Sequence, residues 1–140
     1  MCYRPALEIA LRIEALANQY PGVRIMMMSG DVKGAYRHLM NRATQVHRKG
    51  GQLPTDNALI IDVSAPFGWT ASPAYYGVFG GAITWLVTRE SPTSMCSQEL
   101  DDVPFFGYEW VDDHVMVEPD IGQRLHWGNQ ALRLAMLAVL

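Results

Sequence analysis

Asp112 and Asp113 stand side by side in Tyr108-Glu109-Trp110-Val111-Asp112-Asp113-His114-Val115-Met116-Val117-Glu118, between two arms rich in Val and aromatic residues. Such arms read as strands, and Asp suits a tight turn. The spacing therefore predicts a β-hairpin with Asp112 and Asp113 at its tip. Two adjacent carboxylates repel each other unless a cation sits between them. An isolated pair of this kind is ordinarily a solvated turn. A third carboxylate upstream shifts the balance: Asp31 ends the apolar run Val23-Arg24-Ile25-Met26-Met27-Met28-Ser29-Gly30. Three carboxylates at the ends of adjacent strands have the donors to hold two divalent cations about 3.5–4 Å apart, the arrangement of in-line phosphoryl transfer.

These residues need elements to carry them. Pro5 to Gln19 reads as a helix, with Pro5 at its first position and Ile9, Ile13 and Leu16 at helical spacing. Pro21-Gly22 stops it. Val23 to Met28 is apolar enough to predict a strand buried on both faces in the middle of a sheet, its Met run filling core. Asp31 to Leu39 leaves that strand through a short helix or turn. Thr44 to Asn57 is polar and reads as a connection, and Ala58 to Val63 as the next strand. Pro66 and Gly68 mark a turn, and Ser72 with Pro73 predicts the start of a helix reaching about Arg89. The glycines in that helix suit close packing against a sheet or a base pair. Ser91 to Pro104 reads as a polar loop, Phe105 as the start of the hairpin, and Ile121 to Leu140 as an amphipathic helix carrying Leu125, Leu132, Met136 and Leu140. The order predicts an α+β fold, a mostly antiparallel sheet with helices packed on one face.

The 140 residues suffice for one domain with a real core. Hydrophobic residues at 49% and charged ones at 18% exclude a disordered chain. The longest apolar stretch, Ala71 to Val87, is interrupted by Gly77, Gly80 and Gly81, so no membrane span is expected. No signal peptide is evident, and the chain reads as intracellular, in cytoplasm or nucleus, and not secreted. Cys2 and Cys96 lack metal-ligand spacing and read as free thiols. His38, His47, His114 and His126 have no zinc spacing and read as surface or packing residues. A net charge of −3 is a poor match to a self-sufficient nucleic-acid binder. The charges are nevertheless segregated. Lys33, Arg37, Arg42, Arg48 and Lys49 follow Asp31, while acids gather around the hairpin. That is either a metal-binding end beside a positive patch or a pair of ordinary solvated surfaces.

Three blocks stand in order: Asp31-Val32-Lys33-Gly34-Ala35-Tyr36, Pro66-Phe67-Gly68-Trp69-Thr70-Ala71-Ser72-Pro73, and Trp110-Val111-Asp112-Asp113. Together they resemble the palm of reverse transcriptases, the RNA-directed DNA polymerases of retrotransposons and retroviruses. The resemblance covers nearly the whole chain, 1–140, as a single partial palm domain. It implies that Asp31 and Asp112 are the principal metal ligands, supported by Asp113 and by the backbone carbonyl of Val32. It implies that Gly34 and Ala35 offer backbone N–H groups to a triphosphate, and that Tyr36 lies under the sugar and excludes a 2′-hydroxyl. Phe67 and Gly68 would shape the nucleotide pocket, and Trp110 and Val111 would touch the primer end. The implied cofactor is a pair of Mg²⁺ ions, with Mn²⁺ as a substitute. The implied partners are an RNA or DNA template-primer and deoxynucleoside triphosphates. Trp110 stands where the family usually has Tyr, and Phe67 where retroviral members carry Gln. Fingers, thumb and RNase H segments are expected to lie outside this chain, so the chain alone is expected to be inactive as a polymerase.

Two other readings stay open. A nucleotidyl cyclase built on a similar palm would need a Gly-Gly pair just before the hairpin acid, where this chain has Glu109-Trp110-Val111. A truncated retroelement remnant, or a binding module without catalysis, is the alternative outside enzymology. For Tyr36, the alternative to a sugar gate is a core tyrosine with its hydroxyl hydrogen-bonded.

Overall fold

In the computed structural model, which describes residues 5–140, the chain runs α1 (Leu7–Gln19), β1 (Ile25–Asp31), β2 (Gly50–Leu53), β3 (Ala58–Ile61), α2 (Ser72–Val87), α3 (Pro92–Met95), β4 (Tyr108–Trp110), β5 (Asp113–Pro119) and α4 (Arg124–Val139). Cys2 lies outside the described residues. Stretches of 3₁₀ helix occupy Ala35–His38 and Ala43–Lys49. The fold is α+β, with a three-stranded antiparallel sheet in the order β1-β5-β4 and a two-stranded antiparallel sheet β2-β3. The chain forms two compact units. One ends at Val32 and resumes over Gly77–Leu140; the other is Lys33–Tyr76.

In the first unit β5 is the central strand. Its alternate residues His114, Met116 and Glu118 are all buried. Strand alternation puts these three on one face. The same face of β1 carries Gly30, where an added Cβ would sit 2.9 Å from Leu132 Cδ2 of α4. Thr84 of α2 meets His114 at 3.3 Å, so α2 and α4 both cover this face. The close approach of α4 is what Gly30 permits.

The expectation that the Met run lies buried in mid-sheet is corrected. β1 is an edge strand, Met26 and Met27 are exposed, and the strand runs on to include Asp31. A continuous apolar run identifies a strand but not its neighbours, and among the described residues only β5 pairs with it. The expected connection Thr44 to Asn57 holds a 3₁₀ turn and a strand, β2, which pairs with β3 residue by residue from Gly50↔Ile61 to Leu53↔Ala58. The polar loop Ser91 to Pro104 contains the single-turn helix α3, started by a capping box between Ser91 and Ser94. The expected C-terminal helix begins at Arg124, three residues late, after a turn in which Gly122 has φ 53°.

A buried charge cluster locks the far end of β5. Glu118, fully buried, accepts from Arg124 Nε at 2.7 Å, from Arg12 Nη2 at 3.2 Å and from the backbone N–H of Phe106. Arg124, itself 4% exposed, also donates to Asp101 at 2.8 Å and to the carbonyls of Val103 and Pro104, both at 3.0 Å. Burial works against its charge, but hydrogen bonds to Glu118 and Asp101 outweigh that, and its pKa is raised. Cutting one partner of such a pair leaves an uncompensated buried charge. Glu118→Ala is therefore expected to cost about 3–5 kcal/mol of unfolding free energy. Urea denaturation checks this; a loss under about 1 kcal/mol would show that the cluster is not a structural anchor.

Candidate functional site

The register of the three-stranded sheet assembles the acidic end. Asp31 of β1 lies opposite Asp113 of β5, and Asp113 lies opposite Trp110 of β4. Since Gly30 and His114 face α4 and α2, Asp31, Asp113 and Trp110 form a row on the opposite face. All three are exposed. Asp112 joins them through the backbone, its carbonyl accepting from the Val32 N–H at 3.3 Å. Val32 itself is buried.

The expected turn is corrected by one position. Trp110 pairs with Asp113, so the tip of the hairpin is Val111 and Asp112, and Asp113 already belongs to β5. Val111 has φ 58°. A two-residue hairpin turn needs a positive φ at its first central residue, where Gly is the usual occupant. A β-branched residue there is strained. Turn composition pointed to the Asp pair; the register of the flanking strands decides otherwise.

Carboxylates directly opposite each other across a strand pair destabilise it. Among the described residues no Lys or Arg forms an ion pair with Asp31, Asp112 or Asp113. A hard divalent cation is the chemically fitting counter-charge for such oxygens, so the donor set suits Mg²⁺ or Mn²⁺. The carboxylates do not close into a cage of their own: among the described residues no group of three or more His, Cys, Asp or Glu side chains is arranged to hold a metal. An ion there would draw further oxygens from water or substrate.

Directly behind the row lies a buried polar pair that the sequence did not single out as functional. His114 and Glu109 are cross-strand partners. His114 Nδ1 is 3.3 Å from Thr84 Oγ1, while His114 Nε2 and Glu109 Oε2 are buried with no hydrogen-bond partner among the described residues. Burial pushes the His114 pKa down from 6.5 to about 4, against the opposing pull of Asp113 and Asp112. The signal for this pair was strand alternation: next to an outward Asp113, His114 must point inward.

The predicted nucleotide-binding residues belong to the other unit, Lys33–Tyr76. Gly34 has φ 66° and Gly68 φ 88°, conformations that suit glycine and explain both positions. Ala35 and Tyr36 are buried in the 3₁₀ turn. The Tyr36 ring packs against Phe67 with centroids 4.8 Å apart and edge-on against Tyr76 at 6.0 Å. Phe67 is 70% exposed and overlies it. The Ser72 hydroxyl donates to the Pro66 carbonyl at 2.9 Å, tying the Pro66–Gly68 turn to the start of α2.

Comparisons with protein-family models, with curated proteins and with solved structures find no match to this chain. Among the described residues no helix is long and apolar enough to cross a membrane.

Two outcomes are expected. Val111→Gly should stabilise the chain by about 1 kcal/mol in urea denaturation, because glycine adopts positive φ without strain; a destabilised variant would show that the turn stores none. For His114, the unfolded chain takes up its proton below pH 6.5, whereas the folded chain does so only near 4. Stability conferred by neutral His114 is thus complete above 6.5 and is lost as pH falls toward 4, to the extent of about 3 kcal/mol. In metal-free buffer, His114→Gln should flatten the stability profile in that window; parallel profiles would exclude a buried neutral imidazole.

Proposed function

We propose that this chain carries the two-metal nucleotidyl-transfer site of an RNA-directed DNA polymerase palm. The observation that carries the reading is the register pair Asp31↔Asp113, with Asp112 tied to Val32 beside it, at the exposed end of an antiparallel sheet. The sequence blocks that resemble reverse transcriptases contain all of these residues.

On this reading Asp31, Asp112 and Asp113 supply the oxygen ligands, and the phosphates of the incoming nucleotide supply others. When bound, a Mg²⁺ pair lends acidity to a primer 3′-hydroxyl and counter-charge to the departing pyrophosphate. The chain's own contribution is positional. Pairing of β1, β5 and β4 holds the backbone of Asp31 and Asp113 in register before substrate arrives, which limits the reorganisation needed at reaction. The hairpin tip at Val111 and the exposed Trp110 offer a surface for the primer end beside Asp113. In the other unit, Gly34, Phe67 and Gly68 would form a nucleotide surface, with buried Ala35 and Tyr36 beneath it. The buried packing of Tyr36 fits the core role, and a sugar gate would require Phe67 to move aside. Template-primer and deoxynucleoside triphosphates are the proposed partners.

Metal binding tests the site without requiring turnover. The electron-paramagnetic-resonance signal of free Mn²⁺ should fall on addition of the chain, and Asp31→Asn or Asp113→Asn should weaken binding at least about tenfold, the loss of one charged ligand interaction. In a polymerase that includes this chain, either substitution, or Asp112→Asn, should abolish primer extension on primed RNA while far-UV circular dichroism stays unchanged. Retained extension in all three variants would overturn the reading.

A further inference from the structure

The unit Lys33–Tyr76 has its own charged feature, outside the acidic row and outside the three sequence blocks except at Lys33 and Trp69. Its basic residues Lys33, Arg37, Arg42, Arg48 and Lys49 face only Asp56 and Asp62, a formal charge of +3 within a chain whose total is −3. Three of the five converge on one cavity of about 210 Å³, lined by Asn41, Arg42, Gln45, Arg48, Lys49 and Trp69.

The cavity is built. The ammonium of Lys49 donates to Asn41 Oδ1 at 2.8 Å and sits 4.4 Å from the centre of the Trp69 ring. Asn41 is fixed in turn, its amide nitrogen donating to the Ser64 carbonyl. Trp69 stacks on Tyr75 with centroids 5.6 Å apart and planes at 19°. Lys49 is thus held by neutral groups; among the described residues it forms no ion pair, and Asp62 feels its charge only from beyond ion-pair distance. Arg42 and Arg48 stand exposed at the rim, and among the described residues neither has an ion-pair partner. The nearby acid is already engaged. Asp62 pairs with Arg37 at 3.4 Å and accepts from the Ser64 N–H and hydroxyl at 3.0 and 2.8 Å, interactions that hold its pKa below the usual carboxylate value.

Gathering three cations without an acid among them is unfavourable on its own. A ligand bearing several charge-delocalised oxygens reverses that. Guanidinium groups recognise phosphate through paired N–H donors, and Lys binds it as a point charge. The amides of Asn41 and Gln45 add neutral donors at the same wall. Trp69 contacts both Lys49 and Tyr75, and its ring serves to orient the lysine.

We propose that this cavity is a phosphate-binding site, taking the phosphodiester of a single-stranded nucleic acid or the phosphate of a free nucleotide. The site stands on its own unit and needs neither the metal nor the polymerase reading.

The test is fluorescence anisotropy with a labelled oligothymidylate, in the presence of a chelator so that the acidic row takes no part. Unlabelled adenosine triphosphate and inorganic phosphate serve as competitors. Arg42→Ala combined with Arg48→Ala should lower oligonucleotide affinity at least about tenfold and reduce the slope of log K against log salt by about 1.4, the value for two lost contacts to a single strand. Lys49→Met should lower affinity independently. Arg89→Ala combined with Arg133→Ala removes the same formal charge from the other unit and should leave binding nearly unchanged. Displacement by the oligonucleotide alone identifies a strand as the ligand; equal displacement by the triphosphate or by phosphate identifies the free group; either supports the site. No binding, or equal losses in the two double variants, overturns it. Mn²⁺ binding by the Arg42→Ala, Arg48→Ala variant, read from the paramagnetic-resonance signal, should match the parent, so failure of the acidic site and failure of this one are told apart.

Discussion

The buried contact between Glu118 and Arg124 is the constraint on which the first unit depends. It joins β5 to α4, and through Arg12 and Phe106 it brings in α1 and the segment before β4. A carboxylate with no exposure must have its charge answered, and here every answer comes from a different part of the chain. That makes the cluster a selector of arrangement more than a source of net stability. It can be satisfied only when α1, α4 and the loop around Asp101 have all docked on the same end of β5.

Fixing Glu118 also fixes parity along β5. Side chains of a strand alternate, so a buried Glu118 requires buried Met116 and His114 and sends Asp113 to the other face. A slip by one residue would bury Asp113 under α2 and put His114 in solvent, exchanging a solvated charge for a desolvated one. The pairing Asp31↔Asp113 therefore follows from packing at the far end of the strand. Repulsion between these two carboxylates opposes the same register, and the core outweighs it.

What could be read in the chain followed the physics of short-range pattern. The hairpin arms, the helices and the α+β class were legible because periodicity and turn residues specify them locally. The acidic convergence was legible because Asp31 and Asp112-Asp113 each end an apolar run. The misplaced turn shows where that logic stops. Asp at a turn is a preference worth a fraction of a kcal/mol, whereas pairing of Trp110 with Asp113 is imposed by the whole ladder, which forces Val111 into a conformation it disfavours. The position of β1 at the sheet edge was invisible for a related reason: Met26 and Met27 carry no information about whether a neighbour exists. β2 escaped because Gly50-Gly51-Gln52 has little strand preference, and its pairing with the apolar β3 creates it. The packing of Tyr36 against Phe67 and Tyr76 was likewise invisible to local pattern, because it joins residues far apart in the chain.

Net charge illustrates the same limit. A total of −3 argues against attraction to a polyanion only if charge acts as a sum. At physiological ionic strength the screening length is about 8 Å, shorter than the span of either unit, so a ligand feels the charges near it and little else. The acids that dominate the total lie largely in the unit that contains β5, some spent on ion pairs such as Glu118 with Arg124 and others ending the exposed row. The bases of Lys33–Tyr76 are fewer, yet Arg42, Arg48 and Lys49 share one wall with no acid in it. An overall acidic protein can in this way present both a cation site and an anion site, provided that each is local and that the groups of opposite sign are already paired.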